Sequence, residues 1–219
     1  MTLHPADPNE PTVADVLERA TEDLAARHHG IFSAESVHAL VDESYRLLAE
    51  NAHIRRYLPI LAIRFATDRL QAAAKAQGSL ANPNPEVLFV CVHNAGRSQM
   101  AAALLTHRSG GAVTARSAGS HPAAELDPVV IQALREIGID PSDAYPKPLT
   151  DEVVRAADAV VTMGCGDACP IHPGKRYLDL HLPDPEGAAL DEVRAIRDQI
   201  DLHVSALLTE LTPTPTPAA

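Results

Sequence analysis

The chain has 219 residues, 46% hydrophobic and 21% charged, with a formal net charge of −11. That is the composition of one globular domain with an appendage, or of two small domains, and it excludes a mainly disordered chain. No apolar run reaches the roughly 18–20 residues that span a bilayer, and the first thirty residues lack a basic segment followed by an apolar one, so a soluble cytoplasmic protein is expected.

Residues 1–11 hold three prolines and few apolar groups, and read as a loose terminus. From Thr12 a helical period places Val13, Val16, Leu17, Ala20 and Leu24 on one face, closing at His28-His29-Gly30. A second period follows Ser33 (Val37, Leu40, Val41, Leu47, Leu48). A third runs from Leu58 to Gln77, with Pro59 tolerated in its first turn and Leu58, Leu61, Phe65 and Leu70 inward. Residues 1–80 therefore read as a three-helix bundle. Gly, Ser, Asn and Pro at 78–85 mark a boundary.

Beyond it strands and helices alternate. Strands are expected at 87–91, 113–117, 159–163 and 176–180, and helices at 98–107, 127–137, 151–157 and 190–211. This order implies an α/β domain over 81–211, a parallel sheet with helices on both faces. The Pro-rich tail 212–219 reads as disordered.

The expected first strand ends in Cys91. Val92-His93-Asn94-Ala95-Gly96-Arg97-Ser98 follows, then a helix. A loop wrapped over a helix N-terminus points backbone N–H groups inward and adds the helix dipole, a cradle for a tetrahedral oxyanion. The same field favours a thiolate, so Cys91 is expected to be nucleophilic. Arg97 can bind two anion oxygens with its fork, and Ser98 can donate to the sulfur. Asn94 and Gly96 suit the backbone angles of a tight loop. No Gly-Lys-Ser/Thr follows, so this is not a nucleotide loop. Three cysteines (Cys91, Cys165, Cys169) are no disulfide scaffold, and a lone cysteine is ordinarily a small buried hydrophobe. Here the neighbourhood of Cys91 argues for chemistry instead.

The run 87–104 (VLFVCVHNAGRSQMAAAL) resembles the anion loop of low-molecular-weight protein tyrosine phosphatases and of the arsenate reductases that share their fold. The likeness continues in Arg116-Ser117-Ala118-Gly119-Ser120-His121-Pro122, in Val161-Thr162-Met163-Gly164-Cys165 and in Leu182-Pro183-Asp184-Pro185, and spans roughly residues 86–210. It implies a four-stranded parallel sheet flanked by helices. It also implies Cys91 as nucleophile, Arg97 with residues 92–96 and Ser98 as oxyanion ligands, and Asp184 as general acid.

Met163-Gly164-Cys165-Gly166-Asp167-Ala168-Cys169-Pro170 resembles the redox segment of thioredoxin-coupled arsenate reductases, for which phosphatases have no use. The implied cycle is arsenate reduction through a Cys91–Cys165 disulfide, passed to Cys165–Cys169 and reset by thioredoxin. Its four-residue cysteine interval is shorter than in many relatives. Gly96 and Glu186 stand where phosphatases commonly carry a second cysteine and a tyrosine. The alternatives are mycothiol as the attacking thiol, and a phosphatase.

No tightly bound cofactor and no metal is expected. Cys-x3-Cys-Pro-x-His lacks a second ligand pair for zinc, and Gln99-Met100-Ala101-Ala102-Ala103 offers no acid for the potassium site of some relatives. His93 receives no role beyond its place in the loop. For the bundle, docking or self-association is set against a DNA-reading module with Arg55, Arg56, Arg64 and Arg69 as its basic face. Residues 1–80 hold 8 basic against 11 acidic side chains and residues 81–219 hold 10 against 18, so no nucleic-acid partner is expected.

Overall fold

Backbone groups at helix starts need acceptors, and the first two helices find them where the sequence placed them. In the computed structural model, which describes residues 12–52, 55–79, 84–164 and 169–212, Thr12 caps α1 (Val13–Arg27). It accepts from the Asp15 N–H while its own N–H donates to the Asp15 carboxylate, a reciprocal capping box. Ser33 caps α2 (Ala34–Ala49) through the Ser36 N–H, and α3 covers Leu58–Ala76. The expectations for the 1–11 terminus, the middle of the 78–85 boundary, Cys165 and residues 213–219 of the tail lie outside the described residues.

The chain divides into two compact units, Met1–Gln71 and Ala72–Ala219. In the first, Leu24, Val37, Val41, Ala66 and Leu70 form the core, with Leu17, Phe32 and Leu40 against it. Val13 is exposed, one turn too early to reach that core, and Leu47, Leu48 and Leu61 are only half-buried. Arg69 corrects the reading of a basic face. Its guanidinium is buried, donating to Ser44 Oγ at 3.1 Å and Glu43 Oε2 at 2.6 Å.

The second unit holds a parallel sheet of β1 (Glu86–Cys91), β2 (Thr114–Gly119), β3 (Ala159–Met163) and β4 (Arg176–Asp179), in the order β2-β1-β3-β4. Its helices are α4 (Arg97–Ser109), α5 (Pro128–Arg135), α6 (Asp151–Ala156) and α7 (Leu190–Leu211). Strand side chains alternate faces. Val87, Phe89 and Cys91 pack with Met100, Leu104, Leu134 and Ile200 of α4, α5 and α7. Leu88 and Val90 pack with Val153 and Val154 of α6. Every residue of β1 is buried, which requires a partner for Glu86; Arg116 Nε lies 2.5 Å and Lys75 Nζ 3.6 Å from its carboxylate. The chain leaves β1 for β2 on one side and later returns to β3 on the other. The carboxyl end of β1 is therefore the switch point at which open α/β sheets bind ligands. Among the described residues no helix is long and apolar enough to cross a membrane.

Candidate active site

The end of β1 delivers Cys91 to this switch point, buried beneath the loop 92–96. The peptide groups of that loop are aimed by the segment after β2. The N–H groups of Ser120, His121, Ala123 and Asp127 bond the carbonyls of Cys91, Val92, His93 and Ala95 at 2.8–3.1 Å. In a trans peptide the following N–H points opposite to the carbonyl. With these carbonyls held outward, the paired amides face the inside of the loop, a nest for an anion. The Asn94 N–H follows this rule and donates to Cys91 Sγ at 3.2 Å. The helix below adds its open first-turn amides, since its N-cap, Gly96, has no side chain to satisfy them.

A second contact on the sulfur is also directed. Ser98 Oγ lies 3.0 Å from Cys91 Sγ and accepts from Asn94 Nδ2 at 2.7 Å, which leaves the hydroxyl proton for the sulfur. The Asn94 amide is oriented in turn: its Oδ1 accepts from the Lys147 N–H at 2.8 Å and from Gln99 Nε2 at 3.1 Å. Gln99 Nε2 also donates to the Tyr145 carbonyl at 2.9 Å. Asn94 holds φ +47°, the single non-glycine in the left-handed region among the described residues, as the tight loop required. Gly96 is needed for a different reason from the one expected. Its φ is −130°, but a Cβ there would stand 2.5 Å from Pro185 Cγ. Gly119, which the reading of the residues gave no role, is another close approach: a Cβ there would meet the Val92 carbonyl oxygen at 2.7 Å.

Arg97 is buried beside the loop. Its Nη2 donates to Asp184 Oδ2, its Nη1 reaches the Leu182 carbonyl at 3.4 Å, and its Nε has no acceptor among the described residues. Gly164, at φ +77° just past β3, gives the guanidinium room; a Cβ would lie 3.1 Å from Nη1. Asp184 Oδ1 accepts from the Glu186 N–H at 3.2 Å, so the residue also serves the turn into Pro185. Cys91, His93, Gly96, Arg97, Asp184 and Pro185 line one cleft of about 330 Å³, with Glu125, Asp127 and Glu186 at its acidic side. His93, to which no separate role was given, pairs through Nδ1 with Glu186 Oε2 at 3.2 Å.

The structure thus brings Cys91, residues 92–96, Arg97, Ser98 and Asp184 together. Cys169 is elsewhere. It is buried among Leu88, Val90, Val154 and Val160, on the face of the sheet opposite Cys91, with Sγ 3.9 Å from the Pro170 carbonyl oxygen. Cys165 lies outside the described residues. The carbonyl bonds from residues 120–127 and the Gln99, Tyr145 and Lys147 supports were missed by sequence reasoning. Only Gln99, next to the Arg97-Ser98 pair, stood close enough in the chain to be noticed. Among the described residues no group of three His, Cys, Asp or Glu side chains could hold a metal.

A thiol in an anion nest, a buried arginine and a facing carboxyl are the groups with which a tetrahedral oxyanion can be transferred or reduced. A thioredoxin-dependent arsenate reductase of Corynebacterium glutamicum is similar at 48% identity and a TM-score of 0.83, over 91% of this chain and 98% of that one. An arginine phosphatase of Geobacillus stearothermophilus matches at 28% identity and a TM-score of 0.51, over 58% of this chain and 92% of that one. An arsenate reductase of Brevibacillus brevis is 32% identical over 122 residues, 54% of this chain and 90% of its own length. Residues 17–74 match the N-terminal domain described as protein-tyrosine-phosphatase-like, and residues 86–215 match the low molecular weight phosphotyrosine protein phosphatase family. More than half of the chain carries that second match, and the chain belongs to the low molecular weight phosphotyrosine protein phosphatase family.

Proposed function

We propose that this protein is an arsenate reductase that draws its electrons from thioredoxin. The observation that carries the reading is the likeness to the Corynebacterium glutamicum enzyme, which runs through both units at 48% identity. It favours thioredoxin over mycothiol as reductant.

In this reading the Cys91 thiolate attacks arsenic and forms an S–As bond. A hydroxyl oxygen is expelled, takes a proton from Asp184 and leaves as water. Arg97 exchanges Asp184 for arsenate oxygens, which gives its buried Nε–H an acceptor and frees the carboxyl to reach the leaving oxygen. Cys165, as thiolate, then attacks Cys91 Sγ. The S–As bond breaks, its electron pair stays on arsenic, and arsenite departs as As(V) becomes As(III). Cys169 attacks Cys165 Sγ and releases the Cys91 thiolate. The dithiol of thioredoxin reduces the Cys165–Cys169 disulfide by two exchanges.

Chain connectivity supports the first disulfide. Cys165 is two residues beyond Met163, whose Cα is paired with that of Cys91. Adjacent strands lie about 4.8 Å apart and two residues reach at most about 7 Å, so a turn suffices to approach the ~5.5 Å Cα separation of a disulfide. Cys169 starts from the other face of the sheet, so its attack requires its own side chain to leave the apolar cluster.

The test is arsenate-dependent NADPH oxidation with thioredoxin and its reductase, set beside mycothiol with a glutaredoxin-like protein, and with p-nitrophenyl phosphate hydrolysis in parallel. Turnover with thioredoxin, lost in Cys91→Ser and in Cys169→Ser, is expected. Full activity in Cys169→Ser would exclude the relay, and phosphate release without arsenite formation would make the protein a phosphatase. The bundle is read as a docking or self-association module, because Arg69, one of the four arginines of any DNA-facing surface, is occupied inside it by Ser44 and Glu43.

A further inference from the structure

Ile171 is 82% exposed, the most exposed large hydrophobic side chain among the described residues. It lies between exposed Pro170 and Pro173. A single exposed apolar residue is ordinary on a protein surface. The way this one is held is not. The Tyr177 hydroxyl donates to the Pro170 carbonyl at 3.0 Å and accepts from the His172 N–H at 2.9 Å. One oxygen therefore clips the backbone on both sides of Ile171. Beyond the clip, His172 Nε2 stands 2.9 Å from Asp151 Oδ1 on α6. The Ile171 side chain is left to project into water on a segment held by Tyr177 and Asp151.

We infer that Pro170, Ile171 and Pro173 form the docking ridge for the dithiol protein that reduces this enzyme. The inference rests on the thioredoxin-coupled reading above and adds the surface it uses. Thiol–disulfide exchange requires the partner's sulfur to come into line with a sulfur of this segment, so the partner must seat within a few residues of Cys169. A rigid apolar projection two residues from that sulfur is what a partner with an apolar surface around its reactive thiol would cover. The ridge loses little conformational freedom on being covered, because Tyr177 has already fixed its backbone. Neither Ile171 nor Tyr177 touches the cleft at Cys91.

The experiment compares full-length wild type with Ile171→Ser and Tyr177→Phe, with arsenate saturating and thioredoxin varied. In Ile171→Ser the kcat/KM for thioredoxin is expected to fall by about tenfold or more, as for the loss of a central apolar anchor. The KM for arsenate, arsenite release in a single turnover, and turnover driven by dithiothreitol stay at wild-type values. Tyr177→Phe keeps the isoleucine but opens the clip, and is expected to show a smaller fall in the same parameter. An unchanged thioredoxin dependence in Ile171→Ser overturns the inference. So does an equal loss with dithiothreitol, which would mark a merely structural defect. If wild type turns over with dithiothreitol but not with thioredoxin, the reading of the reductant falls and the docking ridge falls with it. Wild type active with thioredoxin and Ile171→Ser unaffected removes the ridge alone.

Discussion

Asn94 is the residue on which the geometry of the sulfur depends, and replacing it separates two physical effects. In Asn94→Ala the left-handed backbone at φ +47° costs about 1–2 kcal/mol, because a Cβ then crowds the carbonyl oxygen without an amide to compensate. The Lys147 N–H and one proton of Gln99 Nε2 lose their shared acceptor, and Ser98 Oγ loses its donor. Each buried group left unmatched costs about 1–3 kcal/mol, and Gln99 is partly protected by its second bond to Tyr145. Together these predict a loss of about 3–6 kcal/mol, a large share of the ~5–15 kcal/mol of an ordinary domain. Asn94→Gly keeps the backbone freedom and loses only the bonds, so it should recover about 1 kcal/mol relative to alanine. Asn94→Asp keeps the acceptor for both bonds but removes the donor to Ser98 and sets a carboxylate beside the sulfur, so it should be more stable than alanine yet slower toward iodoacetamide at Cys91. Urea unfolding of the reduced protein, extrapolated to water, measures the first two, and alkylation rates measure the third. A loss under 1 kcal/mol in the alanine variant, or a glycine variant no more stable than it, would refute the reasoning.

Gly96→Ala puts a Cβ 2.5 Å from Pro185 Cγ, so Pro185 and with it Asp184 must shift. Arsenite release in a single turnover should slow by at least about tenfold, as a displaced general acid implies, while the melting temperature moves little. Cys169, buried in the reduced protein, should be alkylated slowly; after one equivalent of arsenate has been turned over without thioredoxin it should be recovered in a disulfide with Cys165, with Cys91 alkylatable, as mass spectrometry of labelled peptides would show, and a product that retains a Cys91–Cys165 disulfide would remove the required movement. At Asp158, partial burial pushes the carboxyl up. The hydrogen bonds from Lys75 and the Glu86 N–H, with the nearby charges of Lys75 and Lys175, outweigh it and hold the group below its ordinary value of 3.8. Its folded value is depressed, so its stabilisation is present above pH 3.8 and is lost as pH falls through the lower folded value. Lys75→Met should therefore lower stability at neutral pH and flatten the acid limb of an unfolding curve below about pH 4; an acid limb unchanged from wild type would count against it.

The helix starts after Thr12 and Ser33, the full length of α7 and the place of Cys91 at a strand end were legible because each depends on neighbours within a few residues. So was the gathering of Cys91, Arg97 and Ser98 at one loop, since five residues between a strand and a helix leave few conformations. Arg69 misled because its arginine neighbours in sequence suggested a surface, while Ser44 and Glu43, 25 and 26 residues away, drew it inside. The face taken by Cys169 was not legible for a related reason. Being near the carboxyl edge of the sheet does not say which face a side chain takes, and the apolar cover of α6 drew the sulfur away from Cys91.

The sequence by itself determined which residues can do chemistry here, since a thiol, a guanidinium and a carboxyl keep their chemical character wherever they lie, and it determined the local loop that encloses the first of them. Tertiary structure alone decided how that loop's amides are aimed, because the carbonyls are turned outward by residues 120–127 and the Asn94 amide is oriented by Lys147, partners that no local pattern connects. Those bonds close only when two distant strands come side by side, and they arise from the strand order.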